Sequence, residues 1–76
     1  MKINEIKELK KIYTKAKSKN KNLYACVICD INTNMIKGEL TFVKSVSEKS
    51  FRIFRPLNNS IIEIENKNLD SFNFIY

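Results

Sequence analysis

Leu23-Tyr24-Ala25-Cys26-Val27-Ile28-Cys29-Asp30-Ile31 is the stretch that decides the fold. Leu23, Ala25, Val27, Cys29 and Ile31 alternate with Tyr24, Cys26, Ile28 and Asp30, a period of two. Such alternation places successive side chains on opposite faces of a strand. Both faces here are largely apolar, so the strand is expected to be central and covered on each side.

Upstream of Leu23 the period is different. Ile3, Ile6, Leu9, Ile12, Tyr13 and Ala16 recur at steps of three and four, with no Gly or Pro between them. That spacing predicts an amphipathic helix over residues 3–16, within a basic segment spanning 1–20. Glu5 and Glu8 lie toward its start and the lysines toward its end, which complements the helix dipole. Asn20 and Asn22 suit the exit, because asparagine tolerates left-handed backbone.

Downstream the period of two continues through a series of hairpins. Asn32-Thr33-Asn34 reads as a turn, and a long strand is expected from Met35 to Val46, with Ile36, Leu40, Phe42 and Val46 on one side. Gly38 within it predicts a bulge or sharp bend. Ser47-Glu48-Lys49 closes the next hairpin, and Phe51 to Arg55 forms a strand that Pro56 ends. Asn58-Asn59-Ser60 turns into a strand from Ile61 to Glu65, and the polar residues 66–71 lead to a last strand, Phe72 to Tyr76. One α+β domain over residues 1–76 is expected, with a helix followed by a five-stranded, strongly bent antiparallel meander over 23–76.

Ile36-Lys37-Gly38-Glu39-Leu40-Thr41-Phe42-Val43 resembles the apolar-x-Gly-x-Leu-x-x-apolar signature of the Sm-like small β-barrels, which also begin with a helix. The resemblance implies a small SH3-like barrel. Lys44 stands where that family usually has an acidic residue, and the family's RNA-contacting Asn has no clear counterpart, so the resemblance carries over no RNA pocket.

Composition narrows the chemistry. At 76 residues, 43% hydrophobic and with Gly and Pro once each, the chain has the composition of a folding domain. A single core of this size supplies only about 3–5 kcal/mol, which invites self-association. No apolar run approaches the length of about 20 residues that spans a bilayer, and the N-terminal residues lack the apolar segment of a signal peptide. With only two cysteines, the expected location is the cytoplasm.

There is no His, no Trp and no Gly-rich phosphate loop. Glu63 and Glu65, sharing one strand face, read as a solvated pair. No nucleophile, base and orienter come together, so the chain reads as non-catalytic and without a cofactor. Cys26 and Cys29 have CxxC spacing but fall in a strand, where residues three apart diverge. They are expected to be buried apolar side chains, with no metal bound.

The charge distribution is the best functional signal. Residues 1–22 hold eight lysines against two glutamates, so the whole net charge of +6 sits there and the remainder is neutral. Lys7, Lys10, Lys11, Lys15, Lys17, Lys19 and Lys21 are expected to present ammonium groups to an anionic partner, while also serving solubility. Arg52 and Phe54 share a face of the third strand, with Tyr24 on the matching face of the first; such a set more often forms a second small core, and if exposed it is suited to stacking unpaired bases. The first expectation is a nucleic-acid-binding protein for RNA or single-stranded DNA with low sequence specificity. The second is a protein-interaction module or inhibitor of phage or mobile-element type, docking on an acidic protein surface. A homo-oligomer is expected under either reading, and membrane docking is disfavoured because the sheet needs the helix's apolar stripe.

Overall fold

A computed structural model describes residues 1–29 and 35–76. The expected Asn32–Asn34 turn and the Asp30–Ile31 end of the first strand lie outside the described residues. The elements are α1 (Ile6–Ser18), β1 (Tyr24–Val27), β2 (Leu40–Val46), β3 (Ser50–Arg55), β4 (Ser60–Glu65), a 3₁₀ helix (Asn66–Ser71) and β5 (Phe72–Ile75). All ladders are antiparallel, and the five strands lie in the order β4-β3-β2-β1-β5. β1 is therefore internal, as its two apolar faces require.

The helix is shorter at its start than its apolar spacing predicts. Ile3 is fully buried, yet it belongs to an extended lead-in that runs beside β5. Phe74 N donates to Met1 O (2.8 Å) and the Met1 nitrogen donates to Phe74 O (2.6 Å). Those bonds tie Met1 to β5, and Glu5, extended at φ −130° and ψ 142°, caps α1. They also cover part of the outer edge of β5. At the other end Asn20 is left-handed (φ 55°). Lys21 N reaches Ala16 O at 2.9 Å and Asn20 N reaches Lys17 O at 3.0 Å, a Schellman closure of the last turn.

Gly38 is not inside a strand. It has φ 90° in a turn where Glu39 N donates to Ile36 O at 2.9 Å, the left-handed position that a type II turn gives to glycine. β2 accordingly starts at Leu40, not Met35. The bulge lies further along, at Lys44, where the β2–β3 register slips between Val43 and Ser45. Thr41 and Val43 point inward before it, and half-buried Val46 packs on the core after it.

Leu9, Ala16, Leu23, Ala25, Val27, Phe51, Ile53, Ile64, Leu69, Phe72 and Phe74 form one core. The Phe51 ring on β3 lies 5.6 Å from Phe72 and 5.9 Å from Phe74 on β5, centroid to centroid. Three strand spacings of about 4.8 Å separate β3 from β5 along a flat sheet. Such ring contacts are reached because the sheet curls around the phenylalanines. Among the described residues no ladder joins β4 to β5, and the 3₁₀ helix with its buried Leu69 lies between them in the chain.

The cysteines depart from expectation. β1 ends at Val27, so Cys29 lies beyond it and is exposed, while Cys26 is half-buried on the outer face. The Cys26 thiol lies 3.8 Å from Gly38 O.

Candidate functional site

The outer face of the sheet carries a row of apolar side chains, one from each strand. Register pairs Ile75 with Tyr24, Tyr24 with Phe42, Phe42 with Phe54, and Phe54 with Ile61. The Tyr24 and Phe42 centroids are 5.1 Å apart, and those of Phe42 and Phe54 are 6.3 Å apart with planes only 6° from parallel. All three rings are half-buried, and Ile61 and Ile75 at the ends of the row are exposed.

α1 packs against β2, and its C-terminal end meets this row. Tyr13 Oη donates to Lys44 O, which ties the helix to the bulge. Lys17 Nζ stands 5.6 Å from the Tyr13 ring centroid. A cleft beside the row is lined by Tyr13, Lys17, Lys21, Phe42, Lys44 and Phe54, among others. Cationic and aromatic groups from α1, the α1–β1 connection, β2 and β3 thus converge on one concave surface. Ammonium groups attract phosphate, and flat rings accept bases by stacking.

The nine side chains singled out from the sequence are divided by this geometry. Lys17, Lys21 and Phe54 share the cleft. Arg52 is exposed, lines an adjoining depression, and faces Glu63 across the β3–β4 ladder. Lys7, Lys10 and Lys11 line a separate, shallow stretch of α1 with Thr14. Lys15 and Lys19 are exposed and outside these clefts.

Phe42 and Lys44 were missed. A hairpin closing from Ser47 N to Ser50 O (2.9 Å) without a bulge would set Phe42 opposite Arg55. The extra residue at Lys44 moves the register by one, so Phe42 meets Phe54 instead. The bulge has no local signature in the sequence, so no signal there placed Phe42 and Lys44 at the site.

Arg55 is basic but belongs elsewhere. Its side chain is 5% exposed and its Nε donates to Glu39 Oε2 at 2.5 Å, while Nη2 donates to Oε1 at 2.8 Å. The guanidinium holds the Glu39 carboxyl below the usual carboxylate range, and Glu39 raises Arg55 in turn. Among the described residues no group of three or more Cys, Asp or Glu side chains is gathered in metal-binding reach, and no helix is long and apolar enough to cross a membrane. No protein-family model, curated protein or solved structure matches the chain.

Proposed function

We propose that this chain is a non-catalytic protein that binds nucleic acid with little sequence preference, on a small barrel of Sm-like type. The observation that carries the function is the cleft that Phe42 and Phe54 share with Lys17, Lys21 and Lys44, with Tyr24 continuing the aromatic row beside it. The curl of the sheet around Phe51, Phe72 and Phe74 supports the barrel. Lysine suits phosphate tracking, whereas base readout in a groove favours Arg and Asn in fixed hydrogen-bonding geometry. Binding to a mixed oligonucleotide pool is expected at low salt and should weaken steeply as salt rises. Absence of binding at low salt, or binding indifferent to salt, overturns the reading.

A second reading, docking on a protein, draws on the other edge of the sheet. β4 has no ladder partner on its outer side among the described residues; its Ile61 is 58% exposed and Leu57, before it in the chain, 64%. Capture of a defined protein that survives nuclease treatment would favour this reading over the first.

A further inference from the structure

Resting on the nucleic-acid reading, we infer that the ligand is an unpaired strand that crosses the outer face of the sheet, perpendicular to β1, β2 and β3. One base lies on each of Tyr24, Phe42 and Phe54, and the phosphates follow the flank formed by Lys17, Lys21 and Lys44.

Ring spacing selects a single strand. The centroids are 5.1 and 6.3 Å apart, set by the separation of neighbouring strands. Bases in a duplex rise about 3.4 Å per step along each strand and are held against their partners. Only a strand free to spread its bases can seat one on each ring. The rings read no base edge, so the contact is sequence-tolerant.

Charge selects the side on which the backbone runs. One row away from the rings stand the uncharged side chains of Asn73, Cys26 and Leu40, where the Met1 ammonium is already bonded to Asn73 Oδ1 and Phe74 O, each at 2.6 Å. On the other side stand Lys44 at the bulge, Ser45 and Arg52, and the end of α1 brings Lys17 and Lys21. Glu63 faces Arg52 and offsets part of its charge, so the three lysines are the main phosphate contacts. Lys7, Lys11 and Lys15 recur every four residues on the outward side of α1, away from the cleft. The structure thus separates two lysine sets of equal charge, of which only one lies on the path.

The test compares those sets on the full chain. The probes are a fluorescent oligo(dT) of about twelve nucleotides, within the site size of small single-strand binders, and a duplex of the same length. The Lys17→Gln/Lys21→Gln/Lys44→Gln variant should lose at least about tenfold in affinity for oligo(dT), with the log–log salt slope shallower by about 2, as removal of three phosphate contacts requires. The Lys7→Gln/Lys11→Gln/Lys15→Gln variant should change less than about threefold. Phe42→Leu, which keeps an apolar side chain, should weaken oligo(dT) binding by about tenfold, the scale of one lost base stack. Saturating oligo(dT) should also quench part of the tyrosine emission of the wild-type chain, which holds Tyr13, Tyr24 and Tyr76, a readout that does not depend on Phe42→Leu folding. Equal losses from the two lysine sets, or duplex bound as tightly as oligo(dT), overturn the path and leave the nucleic-acid reading standing. A wild-type chain that binds neither probe at low salt removes that reading itself.

Discussion

Arg55 ends β3 with its guanidinium turned inward onto Glu39, and both side chains are almost fully covered, at 5% and 4% exposure. Glu39 Oε1 also accepts from Ile36 N at 3.0 Å, so the carboxylate braces the Gly38 turn as well as the strand. Breaking one member of a buried pair leaves an uncompensated charge, which costs about 3–5 kcal/mol. Glu39→Gln keeps the shape but removes the negative charge. Because folding lowers the Glu39 pKa, its contribution is complete above the ordinary value of 4.5 and fades as pH falls through the lowered value. The wild-type thermal midpoint is therefore expected to drop on acidification below that range. The Glu39→Gln midpoint should be lower at neutral pH and flatter across the acid range; parallel curves for the two proteins would refute this role. The pairing was not legible in the sequence, where Glu39 and Arg55 are 16 residues apart and only the Gly38 turn before β2 brings the carboxylate to the end of β3.

At the scale of elements, α1 was the most readable part and its lysines the least discriminating. Apolar spacing placed the buried stripe correctly at Leu9 and Ala16. It overran the start because Ile3 is buried by the extended lead-in, and periodicity alone does not distinguish that from another helical turn. Pairing of consecutive strands, as in the expected meander, gives the order β4-β3-β2-β1, whereas β5 departs from the meander and pairs with β1; the bulge at Lys44 has no local signature and sets which aromatics face each other. Hence Tyr24 and Phe54 were legible as candidates and their link through Phe42 was not. Lys7, Lys11 and Lys15 form a column of like charges four residues apart, and each such contact weakens a helix by a few tenths of a kcal/mol. Lys11→Glu turns both contacts into favourable ones, worth about 0.2–0.5 kcal/mol each. Its thermal midpoint should rise by a few degrees at low salt, with the gain shrinking as salt is added. Because Lys11 is off the cleft, oligo(dT) affinity should fall only by the long-range effect of the charge.

For the whole molecule, the decisive quantity is how little core there is. The Cα radius of gyration of 11.2 Å matches the compact value of about 11 Å for a chain of this length, but a domain of this size holds only about 3–5 kcal/mol in reserve. Phe51 sits where the curl of the sheet brings β3 over β5, touching Phe72 and Phe74 together. Its truncation affects β3 and β5 at once. Phe51→Ala removes about 3–5 kcal/mol, comparable to the entire reserve, so the chain should lose cooperative thermal unfolding and near-ultraviolet dichroism at room temperature. Phe51→Leu keeps most of the volume and should unfold cooperatively at a lower midpoint. A folded Phe51→Ala protein would mean that the aromatic cluster is not the hub of the fold. The same thin margin bears on the outer face. Tyr24, Phe42 and Phe54 bury only part of their surface from outside the core, so a strand stacked on them would add apolar cover that the chain itself lacks. Oligo(dT) at saturation is thus expected to raise the thermal midpoint of the wild-type chain, and to raise that of Phe42→Leu less.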